Sequence, residues 1–592
     1  MSSISPALVL IIGGLCVPLV KERFKPLFML LLPVLAFVCM VSLGEGKHGL
    51  FNVLGYDIVM LRVDKLSLVF GYIFTIITFL GVLFAMRVKD DLQHTSALVY
   101  AGGALGVTFA GDFVILYVFW ELMAVASTFL ILARRTRKSE RAAFRYVLIH
   151  IVGGLCLLAG IVLTIHQTGT AEFDFIGLSG LGSWLIFIGI AVNAAIPPLH
   201  PWLQDAYPEA TVTGAVFLSA LTTKSAVYLM ARTYPGTELL IWLGALMTAI
   251  PVFYAVLEND IRRVLAYSLI NQVGFMMCGI GIGTQLALNG TVSHAFCHIL
   301  YKGLLFMATG SVLYMTGKSR CTDLGGLYKT MPMTCFFCIV GAASISAFPL
   351  FSGFVSKSMI ISASAHENLV AIWLILQFAS AGVVEHAGIK VPFFTFFGHD
   401  SGIRTKEPPW NMLLAMAIAA FLCVFLAVCP RFLYSILPYS VDYEPYTMGH
   451  VVGQLQLLMF AILAVFFLIF AGFYPPEIRS INLDADWFYR KGSRLFYRAA
   501  DATLNRLNVV VGGLVMGALP RALVRFVRHG PTQVALLVMT PYWLFIGLDE
   551  IQRNRRRQGL FDVMERGALP IGLIALSVII YLSVLCFFNQ WF

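Results

Sequence analysis

The chain has 592 residues, 59% of them hydrophobic and only 12% charged, with a mean hydropathy of +0.84. A soluble domain carries about 25% charged residues, so a soluble enzyme is excluded. The net charge of +10 sits in short clusters between apolar runs, which is the positive-inside pattern of membrane proteins and not a nucleic-acid surface.

Apolar runs of about 20 residues recur along almost the whole chain, which predicts an all-α polytopic membrane protein of roughly 14 to 16 transmembrane helices. Residues 1–95 hold the first three. The opening run, SPALVLIIGGLCVPLV, has no basic stretch before it and no small-residue cleavage site after it, and reads as a retained span. The clusters KERFK (21–25), RVK (87–89) and RRTRKSERAAFR (134–145) follow the first, third and fifth runs. That alternation predicts an N-terminus outside and these loops in the cytoplasm.

Residues 96–400 form the expected core, and nearly all the buried charge falls here. Glu121 lies in the middle of FVILYVFWELMAVASTFLIL. A charge near the bilayer centre costs at least ~2.5–3.5 kcal/mol, so it faces a partner or a wet cavity. It reads as a proton acceptor coupled to a lysine, or as a structural carboxylate with one neighbour. His150, in FRYVLIHIVGG, either lines the path beside Glu121 or is a core histidine. NAAIPPLHPW (193–202) ends an apolar run with three prolines, which predicts a broken helix. His200, Asp205 and Glu209 follow the break, where they can feed protons from the cytoplasm.

Lys224 sits in SALTTKSAV with apolar sequence on both sides. A desolvated ammonium gives up its proton more readily, as a relay requires. Asp260, in ENDIRRVLAYS, is expected to pair Arg262 or Arg263 at a membrane edge. In GTVSHAFCHILYKGLLF, His294, His298 and Lys302 recur at i, i+4 and i+8 and share one helix face. Zinc is disfavoured because the Glu of H-E-x-x-H is absent. Cys335 and Cys338 form a lone C-x-x-C in an apolar run and read as packing. AFPLFSGF (347–354) predicts a second break, with Lys357 directly after it. Glu385, His386 and Lys390 are either the exit of the same path or a solvated helix end. No nucleotide, haem or iron–sulfur motif is present, so no cofactor and no metal is expected.

Residues 401–474 add two peripheral spans. Residues 475–592 form an extension: Pro475 and Pro476 mark a break, 475–530 reads as a partly amphipathic segment at the membrane surface or a cytoplasmic linker, and two apolar runs follow.

FWELM, PLHPWLQDAYPEA, DIRRVLAYS, HAFCHILYKGLLF and PLFSGFVSK stand in an order and spacing that resembles the antiporter-like membrane subunits shared by Mrp-type cation/proton antiporters, respiratory complex I and membrane-bound hydrogenases. The match runs over about residues 60–400 and looks most similar to the D-type member of the Mrp group. The resemblance implies two inverted five-helix repeats, each with one broken helix, in the membrane of a prokaryote. It implies proton translocation through Glu121, Lys224, His294, His298 and Lys357, with Lys302 in the same stripe. Expected partners are the lipid bilayer, other membrane subunits, H+ and Na+ or K+. The family pattern has a lysine just before the first break, paired with the glutamate. Here that position is Asn193, and an amide carries no proton. Either Lys224 substitutes as the partner of Glu121, or this half of the path is altered. Three functions fit these residues: Na+- or K+-coupled antiport, redox-driven pumping, and a coupling subunit that does not conduct.

Overall fold

Polar residues placed between the apolar runs start the helices. The structure, a computed structural model, describes residues 5–53, 55–172, 174–478 and 482–589. Its helices are α1 (Pro6–Cys16), α2 (Lys25–Ser42), α3 (Lys65–Ala85), α4 (Asp91–Phe109), α5 (Phe113–Leu132), α6 (Arg137–Thr168), α7 (Gly180–Asn193), α8 (Pro201–Ala206), α9 (Gly214–Ala220), α10 (Thr222–Thr233), α11 (Glu238–Leu257), α12 (Ile261–Ile282), α13 (Gln285–Thr316), α14 (Pro332–Ile345), α15 (Ser352–His366), α16 (Val370–Val383), α17 (Trp410–Val428), α18 (Pro430–Tyr434), α19 (Met448–Phe470), α20 (Asp486–Ala500), α21 (Arg506–Gly512), α22 (Leu519–Phe545) and α23 (Glu550–Asn589). Asp64 and Thr136 form capping boxes at α3 and α6. Asp112 caps α5 by accepting from the Ile115 amide at 2.8 Å. Each satisfies backbone donors that would otherwise be orphaned at a span's edge.

The chain is an all-α polytopic membrane protein. Among the described residues, twelve helices are long and apolar enough to cross a bilayer, fewer than the 14 to 16 expected. The difference has three causes. The first run forms α1, of only 11 residues. The broken helices α7 and α14 have only 14 residues each. And α4 opens on Gln93, His94, Thr95 and Ser96 but is almost wholly buried in protein. One element was not anticipated: a hairpin of β1 (Gly46–Val53) and β2 (Tyr56–Val63). It covers the turn before α5, where the Val59 amide donates to Asp112 at 2.6 Å.

The two proline-marked breaks have the same backbone. Ala195 and Ala347 adopt φ of 56° and 57°. Ile196 and Phe348 each donate back five residues, to Ala191 O (3.1 Å) and Ala343 O (3.0 Å). A left-handed alanine costs on the order of 1–3 kcal/mol, and Pro197 and Pro349 then prevent the helix from resuming. A third break was not expected. Residues 214–233 form one apolar stretch that kinks at Leu221 (φ −96°, ψ −64°) between α9 and α10. Beyond α16, π-type turns carry the helix through residues 384–390 and 393–397.

The described chain divides into two compact units, with the boundary at Asp486 and Trp487. The described residues 475–478 and 482–486 therefore belong to the first unit. The second unit contains a helical run from Trp487 to Phe545. At 1.5 Å per residue this run is about 90 Å long, roughly three times a bilayer's hydrocarbon thickness. α23 lies back along α22, with Gly572 against Val527.

Close packing of α6 on α7 sets the position of the first break. A Cβ added to Gly160 would fall 2.6 Å from the Ile186 amide and 2.7 Å from the Gly182 carbonyl. Backbone cannot step aside as a side chain can, so Gly160→Ala is expected to destabilise the protein by about 1–3 kcal/mol. Thermal unfolding of the purified protein in detergent measures it.

Candidate functional site

In the first unit α10, α13 and α15 bring together Lys224, His294, His298, Lys302 and Lys357, each no more than 1% exposed. None of the three lysines has a salt bridge among the described residues. Two are held in another way. Lys224 Nζ donates to Ser219 O (2.7 Å) in the last turn of α9 and to Thr223 Oγ1 (3.1 Å). Lys357 Nζ donates to Ile345 O (3.0 Å), the last residue of α14, and lies 5.2 Å from the centre of the Phe275 ring. Each ammonium thus meets the carbonyl end of an interrupted helix. That end carries about half a negative charge and unsatisfied acceptors, and a cation there is favoured.

The α13 stripe lies between these two anchors. His294 Nδ1 contacts Ser356 Oγ (3.1 Å) and its Nε2 contacts Tyr301 OH (3.5 Å). The His294 and His298 ring centres are 6.2 Å apart. Both ring nitrogens of His298, and Nζ of Lys302, are buried without a partner among the described residues. His298 is within electrostatic reach of Lys224, Lys302, His294 and Lys357. His386 is within reach of Lys302, Lys357 and Lys390. Tyr301 continues the polar row by donating to Gln272 Oε1 (3.0 Å). A proton added at one member raises the cost of a proton at the next, because little water screens them.

The Glu121 half is built differently. Among the described residues Glu121 and Lys224 form no ion pair, contrary to the expectation that Lys224 is its partner. Oε1 of Glu121 is buried without a hydrogen-bond partner among the described residues and packs on Gly154 of α6, where an added Cβ would lie 2.0 Å away. One turn back on α6 is His150, 2% exposed. It is stacked on Tyr146 at 3.9 Å and edge-on to Trp202 at 4.6 Å. Tyr146 OH meets Ser127 Oγ at 2.9 Å. Tyr100 OH meets Thr222 Oγ1 at 2.6 Å, beside the kink that carries Thr223 and Lys224. Tyr207 OH is buried without a partner among the described residues. Hydroxyl groups, and not a carboxylate, therefore lie between the Glu121 side and Lys224. Asn193 is 1% exposed, and its Nδ2 has no partner among the described residues.

The remaining candidates gather at one edge. Asp260 does not pair an arginine side chain. It caps α12 through the Arg262 and Arg263 amides (2.9 and 3.3 Å) and accepts from Ser319 (2.6 Å). The Arg262 guanidinium donates instead to carbonyls of the loop after the first break, at Pro208 (2.8 Å) and Ala210 (3.2 Å). His200, at the start of that loop, meets Asp484 (Nε2 to Oδ1, 3.2 Å). Lys390 is fully buried, pairs Glu477 at 2.8 Å and donates to Val256 O (2.5 Å) at the end of α11. Glu385 accepts from Tyr474 at 2.7 Å. Tyr474, Glu477 and Asp484 were missed in the sequence, where a carboxylate after two prolines looks like any surface residue. No group of three or more His, Cys, Asp or Glu is arranged to hold a metal among the described residues.

These elements recur in known proteins. Residues 110–382 match the family described as NADH:quinone oxidoreductase/Mrp antiporter, TM. The chain is 30% identical over 484 residues to the A1 subunit of the Na(+)/H(+) antiporter of Staphylococcus haemolyticus (strain JCSC1435), covering 72% of this chain and 60% of that protein. It is 28% identical to the corresponding A-type subunit of the Na(+)/H(+) antiporter of Alkalihalophilus pseudofirmus OF4, covering 73% and 61%. It is 29% identical to the A/B-type subunit of a probable K(+)/H(+) antiporter of Rhizobium meliloti (strain 1021), covering 62% and 40%. The chain thus spans about 60% or less of the length of these relatives. Two of these relatives are A-type and the third A/B-type by name, where the motifs had pointed to the D type. The fold is shared with a chain of the Mrp complex from Dietzia sp. DQ12-45-1b (TM-score 0.73, 23% identity, 88% of this chain and 62% of that one). It is shared also with a chain of the membrane-bound sulfane sulfur reductase, an archaeal respiratory membrane complex (TM-score 0.67, 24% identity, 92% and 99%).

Removing one member of a buried ion pair strands the other. Glu477→Ala or Lys390→Ala is therefore expected to cost about 3–5 kcal/mol, and the double change Lys390→Met with Glu477→Leu distinctly less. Thermal unfolding of the four proteins tests this. Burial works against ionisation of Asp484, but the hydrogen bond from His200 outweighs it and holds the carboxyl below its ordinary 3.8. A depressed folded value means the contact is fully stabilising above the ordinary value and is lost as pH falls through the folded one. Protease sensitivity of residues 475–485 should therefore stay constant from neutral pH down to about 5 and rise only below 3.8.

Proposed function

We propose that this chain is the proton-translocating subunit of a multi-subunit membrane complex of the Mrp antiporter and complex I-like kind, with the path inside residues 96–400. The observation that carries the reading is the row of buried titratable groups from Glu121 to His386, in which Lys224 and Lys357 rest on helix ends and not on counter-ions. A fixed ion pair would hold its proton. An ammonium resting on carbonyls can release one without leaving an unpaired carboxylate behind. Glu121 takes up or delivers the proton on one side, with His150 beside it. Lys224 accepts it at the kink, the stripe of His294, His298 and Lys302 passes it across, and Lys357 releases it towards His386 and Lys390.

The relatives' names support Na+ or K+ as the counter-ion, moved by the assembled complex. The same path serves a redox-driven partner equally well, and the subunits that co-purify separate the two: iron–sulfur or nickel proteins mean a redox pump. The setting is the cytoplasmic membrane of a prokaryote, with the N-terminus outside. The matching breaks at Ala195 and Ala347 support two inverted five-helix repeats. A second reading, a coupling subunit that does not conduct, is favoured by Asn193 and by the missing Glu121–Lys224 ion pair.

Proton flux in proteoliposomes of the intact complex decides between them. Lys224→Ala, Lys357→Ala and Glu121→Gln are each expected to lower the flux at least about tenfold, or about 1.4 kcal/mol in barrier. Gly154→Ala should assemble normally, because a flexible carboxylate can step aside, yet still reduce flux by displacing Glu121. Native flux in both lysine variants would instead establish the non-conducting subunit.

A further inference from the structure

Tyr474, Glu477 and Asp484 dock at the edge where the path meets the loops, and Asp484 is the most completely bound of the three. Its Oδ2 accepts from Gln204 Nε2 (2.6 Å) and Tyr267 OH (2.9 Å). Its Oδ1 accepts from the Ala485 amide (2.6 Å) and faces His200 Nε2 at 3.2 Å. Four donors on two oxygens fix this carboxylate as an anion. A carboxylate can only accept, so Nε2 of His200 carries the hydrogen. The other ring nitrogen, Nδ1, is buried without a partner among the described residues, as is Oε1 of Gln204. An imidazole oriented through one nitrogen by a fixed anion, with its second lone pair open, is the arrangement that takes up and returns a proton.

The surroundings match. His200 begins the loop after the first break and is 6% exposed. The loop sits among the charges that mark an aqueous edge: Asp205 pairs Arg145 at 2.6 Å and Glu209 pairs Arg134 at 3.3 Å. Two residues on, Trp202 packs against His150, the histidine next to Glu121 on the path. From α12 and α11, Tyr267 and Tyr254 face Asp484, stacked on each other at 5.3 Å. Arg263, one turn before Tyr267, is engaged with Glu258 at 3.9 Å. So the positive group that meets Asp484 is His200 once protonated.

We infer that Asp484 and His200 form a proton-loading dyad at the aqueous mouth of the path. This rests on the proton-translocating reading above. In the loading step neutral His200 accepts one proton at Nδ1, and Asp484 holds the resulting imidazolium through Nε2. Handing that proton inward restores the neutral ring, so one proton enters and one leaves. Asp484 never touches the transferred proton; it positions and charges the group that does.

The test is proton flux against pH in proteoliposomes of the intact complex. Asp484→Asn keeps the shape but removes the charge that favours the imidazolium. Flux should fall by about tenfold or more and the alkaline limb of the pH profile should move to lower pH, while Asp484→Glu restores both in large part. An assembled Asp484→Asn complex with an unshifted profile, at whatever rate, overturns the inference and leaves Asp484 a structural anchor. If that variant does not assemble, His200→Gln decides: it keeps a donor to the carboxylate but cannot titrate, and native flux in it overturns the dyad. Lys224→Ala and Lys357→Ala run alongside as the control. Loss of flux there with no effect at Asp484 or His200 refutes only the dyad, whereas native flux in both lysine variants refutes the translocation reading itself.

Discussion

A buried ammonium that finds its stabilisation in the end of a helix is the interaction on which the rest of this protein's interior depends. Lys224 rests on the last turn of α9 and Lys357 on the last residue of α14. Both arrangements need a helix that stops inside the membrane, because an unbroken helix has no free carbonyls to offer. The breaks are therefore not defects tolerated by the fold. They supply the acceptors that let charge reside where no carboxylate accompanies it. Stopping a helix in hydrocarbon is feasible only where protein covers the exposed backbone, and the broken elements lie where α4, α10, α12 and α13 are almost completely buried.

The two halves of the buried row solve different electrical problems. The central half holds three lysines and two histidines close together, so the charge on one is felt by the others. The Glu121 half joins a lone carboxylate to this group through hydroxyls and an aromatic stack. At the edge the pattern reverses. Glu477 and Asp484 bring carboxylates from a late segment of the chain to Lys390 and His200. Carboxylates and basic groups are thus paired at the edge, while the central lysines have no counter-ion among the described residues.

Proline made two of the three breaks legible, because it removes a backbone donor and crowds the preceding turn, although Pro33 and Pro251 stand inside helices that continue. The kink at Leu221 was not legible: SALTTK contains neither proline nor glycine. The His294, His298 and Lys302 stripe followed from spacing alone, since residues four apart share a helix face. A specific pairing did not follow. Asp260 looked like an arginine partner and is a helix cap, because a backbone amide two residues away is closer than any guanidinium. Glu121 and Lys224 looked like partners because both are buried charges, yet burial says nothing of which face each occupies. Glu477 and Asp484 were the least visible, since the segment holding them has the composition of an exposed linker and becomes buried only by docking on distant helices.

The residue at each proline-marked turn is alanine, where glycine would have been the easier choice. A methyl group at φ near 57° is strained, but it also removes the many alternative conformations a glycine would visit. These corners are therefore stiff. The carbonyls just before them point one way, and α14's terminal oxygen is the one Lys357 grips. A soft corner would let that oxygen wander. The strain held at Ala347 thus fixes the position of the one backbone oxygen on which the Lys357 ammonium rests.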